Sequence, residues 1–376
     1  MIEKTEQKEF LYIQGNEKTS LSKRYKKVNN ICAILYDQLT EIFTLENYES
    51  LSLTEVTHPE MDKVMDQLEK DDIHILDWLK EKGAIDDITK VLTKHLLMSI
   101  TSDFVNFMYE SLRNAKNGKM TVAYALLRKP LTDELLILEQ LLVDKEDFVN
   151  RFFIDGRTKG YDPSPSNKNI DKQSVVNQAV NKLYLNPILM PDYIYEVRYD
   201  KACDFGLNGL TNQALHIVTN DFRYKTDEQN LNFVFSTKED LKTYREHYYT
   251  FVPYLLIYAI SVIDGIVFDL LRDDDNQNLR YVKALRRLTG FLLIQKHTKI
   301  LDKKSIDRIF KIIGDGMPKE CHICGHQNEI GQADLEIFFE TEAFVCQNCF
   351  NNYLATKESV DSIKNFFSGF RKDGED

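Results

Sequence analysis

Apolar positions recur along most of this chain every three or four residues, the repeat of an α-helix with one buried face. From Lys23 to Leu45, the residues Val28, Ile31, Cys32, Leu35, Leu39 and Ile42 fall on one side. Met61 to Lys82 reads as a second helix, stopped by Gly83. Ile85 to Leu112 is long and unusually apolar, carrying Ile88, Val91, Leu92, Leu96, Ile100, Phe104, Phe107 and Met108. Asn117-Gly118 marks a turn. A further helix spans Thr121 to Leu142, and Pro130 kinks it or resets its start. These two helices read as the central pair of a bundle.

Arg151 to Lys172 reads as a loop marked by Asp162-Pro163-Ser164-Pro165-Ser166, as either a linker or an ordered lid would. Helices resume at Gln173–Leu185 and near Gly209–Asn220, and Leu231–Phe235 is a strand or an extended loop. Four helices follow, at Lys238–Tyr249, Pro253–Leu271, Asn278–His297 and Lys303–Ile313. The pattern approaches alternation at Asp334–Glu340 and Glu342–Val345, two short strands of a half-exposed hairpin. A last helix covers Val360–Phe370. The fold class expected is therefore mainly α, a multi-helix bundle with a small C-terminal β-hairpin. Its parts are an N-terminal helical region at 1–83 with a polar, frayed start, the main bundle at 84–313 with its loop at 151–172, the hairpin module at 317–353, and a helix with a charged tail at 354–376. Gly314-Asp315-Gly316-Met317-Pro318 is the boundary between bundle and hairpin.

Composition supports a packed core, with 43% hydrophobic and 11% aromatic residues. Few prolines and glycines argue against an all-β or disordered chain. The net charge of −11 excludes a polybasic nucleic-acid coat but leaves room for a local basic patch. The longest apolar stretch, Phe251 to Leu271, is interrupted by Pro253, Asp264, Gly265 and Asp269, so no membrane span is expected. With no secretory leader and few cysteines, the expectation is a cytoplasmic protein with reduced thiols. Frequent Lys, Asn and Ile point to an AT-rich bacterial source.

The cysteines carry the sharpest chemistry. Cys321 and Cys324 form one C-x-x-C pair, Cys346 and Cys349 another, with 21 residues between them. Each pair on a tight turn aims two sulfurs at one ion, and two turns complete a tetrahedron. Gly325 suits such a turn because glycine tolerates positive φ. Four thiolates leave no open position, so the expected cofactor is a structural Zn²⁺. Cys32 and Cys203 are read as ordinary buried thiols. From Lys319 to Tyr353 this stretch resembles the zinc-ribbon family, which implies a small metal-stapled hairpin. An HNH nuclease also carries paired C-x-x-C motifs, but it needs a histidine on the intervening hairpin, and His326 stands too close to Cys324. Many ribbons bind nucleic acid, yet residues 317–353 carry a net charge of −5, with Lys319 as the only base. Phosphate binding depends on Lys and Arg, so this module is not the place for it.

Catalytic signatures are absent from the helical body: no P-loop, no G-x-S-x-G, no G-x-G-x-x-G, no H-E-x-x-H. The polar residues that stand out among apolar neighbours are Arg128 with Asp133, Glu134 and Glu139 downstream, His216, and His95. Arg128, Glu134 and His216 are the catalytic candidates, since a bundle histidine or carboxylate can act as general base. The plainer reading of each is a satisfied core polar group or a side chain that points to solvent. The paired helices from Ile85 to Leu142 and the setting of Arg128 make the body similar to the helical domains of bacterial toxin and phage-defence proteins, including the HEPN class. HEPN ribonucleases carry an arginine and, after a gap of four to six residues, a histidine, a spacing that no arginine here meets, since Arg245–His247 is too close and Arg287–His297 too far.

Residues 280–311 hold ten Lys or Arg against Asp302 and Asp307. On the Asn278–His297 helix, Leu285, Leu288 and Leu292 form the apolar stripe, and Arg280, Lys283 and Arg287 share the other side. That face suits a run of phosphates, a solvated surface, or an internal counterpart to the acidic module. The reading that results is a zinc-binding helical scaffold or recognition protein, acting in stress or phage defence. A protein partner is expected, with nucleic acid reached only through the 280–311 segment and homo-oligomers compatible. The alternative is an RNA or DNA nuclease with its site in the bundle.

Overall fold

The computed structural model describes residues 10–53, 56, 61–164, 167–271, 274–317, 319–353 and 357–372. Residues 1–9 of the polar start, Pro165-Ser166 of the loop marker, Pro318 and residues 373–376 of the charged tail lie outside the described residues. The chain is mainly helical. It opens with α1 (Lys23–Thr40), α2 (Glu49–Ser52), α3 (Met61–Lys70), α4 (Ile75–Glu81), α5 (Ile85–Lys116) and α6 (Met120–Arg128). It continues with α7 (Leu135–Val143), α8 (Lys145–Val149), α9 (Lys172–Lys182), α10 (Pro191–Tyr199) and α11 (Leu207–Leu215). The last third holds α12 (Lys238–Leu270), α13 (Asp274–Thr298), α14 (Lys303–Asp315), α15 (Gln332–Thr341), β1 (Phe344–Val345), β2 (Asn352–Tyr353) and α16 (Lys357–Lys372).

Helix α12 is the axis of the core. Every residue from Val252 to Ile263 is buried, and α1, α5, α7 and α13 pack around it. The sequence divides this element at Pro253, but the helix runs through it. Proline removes one backbone donor, and the apolar surroundings on all sides more than offset that loss. Thr237 and Asp240 cap its start reciprocally, Thr237 N–H and hydroxyl each donating to Asp240 Oδ2 at 2.8 Å. By length and apolarity α12 meets the measure of a membrane span, but 89% of its apolar window is buried inside the fold. A smaller core, with Trp78, Leu79, Ile88 and Val149, sits under α3, α4 and α8.

Other departures have local causes. Met61–Lys82 divides into α3 and α4 at Asp72, which takes a left-handed φ of 50°. Around Pro130 the chain adopts a π-helical turn, Lys129–Glu134, which absorbs the proline while α6 leads on into α7. Leu231–Phe235 forms no strand, and Phe233 turns the chain with φ 59°. Helix α14 extends through Asp315 and so takes in two residues of the expected linker. Gly314 is buried there, and a Cβ on it would lie 2.1 Å from the Ile330 carbonyl oxygen.

The main correction concerns the C-terminal module. Asp334–Glu340, expected as a strand, lies within helix α15. Leu335, Phe338 and Phe339 are buried at helical spacing, and Asp334 Oδ2 accepts from Gly331 N–H at 2.9 Å to cap the start. The only sheet among the described residues pairs β1 with β2, Phe344 opposite Tyr353 and Val345 opposite Asn352.

Candidate metal centre and its setting

The two C-x-x-C turns are built alike. Cys321 N–H donates to His326 O at 2.9 Å, and Gly325 N–H donates to Cys321 O at 2.8 Å. In the second turn Cys346 N–H donates to Asn351 O at 3.0 Å, and Phe350 N–H donates to Cys346 O at 3.0 Å. The residue after each pair is left-handed, Gly325 at φ 69° and Phe350 at φ 57°. Each turn ends a ladder, Glu320 bridging Gln327 and Val345 pairing with Asn352.

These turns bring all four Sγ atoms within 4.8 Å of one another. Cys321 and Cys349 Sγ are 3.8 Å apart, and Cys324 and Cys346 Sγ are 3.6 Å apart. Four metal–sulfur bonds of about 2.3 Å give a tetrahedron with edges of about 3.8 Å. A disulfide needs about 2.05 Å. The sulfurs are thus spaced to hold a metal ion. Burial opposes a thiolate at Cys346, but the N–H groups of Cys349 and Asn348 and the neighbouring thiols outweigh it, bringing the group down to about 6. The Asn351 backbone N–H leads the causes that lower Cys349. Asn348 also points its side-chain amide at Cys324 Sγ, 3.7 Å away.

Asn328 locks the two turns together. Its side-chain amide donates to Lys319 O at 3.0 Å, and its Oδ1 accepts from Gln347 N–H at 2.8 Å. Such outer contacts orient ligands before a metal arrives.

The centre is seated on the helical body. Phe338 stacks on Phe344 with ring centroids 4.8 Å apart. Phe339 lies over α13 at Gly290, where a Cβ would come 2.7 Å from its ring edge. Gln38 of α1 donates its side-chain amide to Phe339 O at 2.7 Å. Glu342 accepts from both Lys283 and Arg286 at 2.6 Å, and Glu41 accepts from the same two cations at 2.6 and 2.9 Å.

Lys283 and Arg287 are therefore interior residues, 1% and 2% exposed. Arg287 pairs with Asp264 at 3.1 Å and also reaches Gln38. Arg280 is half-buried with its guanidinium 4.5 Å from the Tyr184 ring centroid. Of the three expectations for this helix, the internal counterpart to the acidic module describes Lys283 best. The exposed cations of the 280–311 segment lie further on, at Lys299, Lys303, Lys304, Arg308 and Lys311.

The catalytic candidates do not converge: among the described residues no hydrogen bond or ion pair joins Arg128, Glu134 and His216. Arg128 is half-buried, with its charge acting on Asp133 and Tyr224. His216 is exposed just past the end of α11, and His95 is exposed on α5. Glu134 is buried beside Lys129, 3.2 Å away, and Lys129 also pairs with Asp103. Burial first, then the hydrogen bond with Asp103, pushes Glu134 up to about 8.

The sequence reading missed the deepest ion pair, Glu139 with Arg198, both fully buried. Tyr258 donates to Glu139 at 2.6 Å, and Arg198 Nε donates to Leu131 O at 2.6 Å, a carbonyl of the π-helical turn. The available signal was Glu139, a carboxylate in the apolar run Leu135–Val143.

No family model, curated protein or solved structure matches this chain.

Proposed function

We propose that this chain is a helical recognition scaffold stapled by one structural zinc ion on Cys321, Cys324, Cys346 and Cys349. The carrying observation is the closed set of four sulfurs at tetrahedral spacing. All-thiolate tetrahedral donors favour zinc, and four ligands leave no position for water or substrate. The module is tied to α1 and α13 by Gln38, Lys283 and Arg286, which suits a staple of tertiary structure.

A protein is the partner class this reading favours. The segment after α11 exposes Ile217, Val218, Phe222, Val234 and Phe235, with Phe222 84% exposed. Its two limbs are held together by Asn232 N–H donating to Ile217 O at 2.9 Å and Thr226 N–H donating to Thr219 O at 2.9 Å. Ordered, exposed apolar groups of this kind mark contact surfaces. The reduced thiols fit a cytoplasmic setting, and bacterial stress or phage defence is the context proposed for it.

The test has two readouts on purified full-length protein. Elemental analysis should give one zinc per chain, and Phe222→Ser with Phe235→Ser should abolish capture of a cellular protein partner while zinc stays bound. Protein without stoichiometric zinc removes the staple. RNA or DNA cleavage lost on changing Glu134→Gln or His216→Ala replaces the scaffold reading with the nuclease.

A further inference from the structure

The largest apolar cavity described lies away from the cysteines, between α10, α12, α13, α14 and α16. It encloses about 600 Å³, within the range of pockets that take small organic ligands. Tyr254, Leu288, Phe291 and Leu292 form its inner wall, and Ile309 and Ile313 of α14 close one side. Its mouth leaves Met190 and Ile300 each 58% exposed and Ile312 52% exposed.

Two features say what would fill it. Gln295 lines the cavity and is only 6% exposed, yet its buried Oε1 has no hydrogen-bond partner among the described residues. An unpaired buried amide costs free energy unless a ligand completes it. The amide's oxygen and nitrogen exchange by rotation about its last bond, so it offers either an acceptor or a donor.

The second feature is charge. Lys304, Arg308 and Lys311 recur at helical spacing on α14, on the flank beside Ile312 and outside the cavity lining, with Asp302 and Asp307 as the acids among them, and Lys299 follows Gln295 by one helical turn. All four are exposed, and none is ion-paired among the described residues. By contrast, Lys283, Arg286 and Arg287 on α13 are all consumed by carboxylates.

We propose that this cavity binds an anionic amphiphile, a long-chain carboxylate or alkyl phosphate. Its chain lies along Phe291, Leu292 and Tyr254. Its head sits at the Gln295 amide under the Lys299, Lys304, Arg308 and Lys311 collar. An uncharged apolar ligand would leave the collar unused, and a free anion would leave the cavity unfilled. The proposal is independent of the zinc scaffold reading and fails or stands without it.

The test is isothermal titration of the zinc-loaded full chain with dodecanoate below its micelle-forming concentration, with dodecanol and acetate as controls. Saturable binding of one dodecanoate per chain is expected, with no binding of acetate and about tenfold weaker binding of dodecanol. Gln295→Leu should weaken dodecanoate by about threefold to tenfold, the worth of one hydrogen bond. Ile312→Glu, at an exposed position that leaves the melting temperature intact, should abolish binding by placing a negative charge at the mouth. No saturable dodecanoate binding, or binding unchanged in Ile312→Glu, overturns the site. Dodecanol binding as tightly as dodecanoate overturns the anionic head.

Discussion

Lys283 and Glu342 meet at 2.6 Å, the lysine almost wholly enclosed and the carboxylate at the left-handed C-cap of α15. Arg286 and Glu41 complete a square of two cations and two carboxylates that joins α1, α13 and the cysteine module. Removing one partner strands the others in a poorly hydrated site. Lys283→Met should cost about 2–4 kcal/mol, toward the lower end of buried pairs because both carboxylates keep some solvent. Urea denaturation reads this directly, and a loss under about 0.5 kcal/mol, the level of a surface pair, would contradict it.

The metal prediction is larger in scale. Structural zinc contributes on the order of 10–16 kcal/mol to small modules that unfold without it. Cys321→Ser or Cys346→Ser should unfold both turns and release α15 from Gly290, lowering the melting temperature of the body as well. Hydrogen exchange would then show residues 319–353 and the facing turns of α13 losing protection together. Full protection of α15 in metal-free protein would count against the staple.

Two glycines test how closely the module is seated. At Gly290 an added methyl meets a ring edge of Phe339 at 2.7 Å, and a ring can shift. At Gly314 it meets the backbone oxygen of Ile330 at 2.1 Å, which cannot yield without moving the chain. Gly290→Ala should cost about 1–3 kcal/mol, the usual range for overpacking. Gly314→Ala should cost more. Thermal melts of the two variants rank them, and the opposite order refutes this packing argument.

Acid–base linkage separates two carboxyls, Glu134 buried and Glu41 half-buried. Glu134 is pushed up to about 8 by burial and then by Asp103, with Lys129 opposing. The folded state therefore keeps a proton that the unfolded chain releases. Stability from this site is complete below the ordinary carboxyl range near pH 4 and falls as pH rises toward about 8. Burial works against charge on Glu41, but Lys283 and Arg286 outweigh it and hold that group below the usual value. Its contribution is present above the ordinary carboxyl range and is lost in acid. Glu134→Gln should flatten the decline in melting temperature between about pH 5 and about pH 8. Parallel pH profiles for variant and parent would show that Glu134 does not carry this linkage.

Much of this structure can be read from the residues alone, for reasons that differ by element. The cysteine quartet is legible because metal geometry requires a particular local spacing, and local spacing is what a sequence displays. Helices α1 and α5 are legible because each has an apolar stripe several turns long. Helix α15 is not: Leu335, Ile337, Phe338 and Phe339 suit a strand nearly as well as a helix. The choice is made by Asp334 at the cap and by the bare patch at Gly290 that receives Phe339. The inward face of Lys283 is equally hidden, since its partners Glu41 and Glu342 come from distant parts of the chain. Glu134 and His216 share apolar surroundings in the sequence, yet one is buried and the other exposed, because α11 stops at Leu215.

The meeting of Gln38 with Phe339 spans 301 residues of chain, and that of Lys283 with Glu342 spans 59. A ribosome that has just delivered α13 has made both cations and Glu41, but not Glu342, the second carboxylate that answers them. Until Glu342 has emerged, Lys283 and Arg286 have only Glu41 to share between them. A chain broken off early is left with an open, charged seam where a finished one is sealed. The last side of that square closes only once Glu342 has been made.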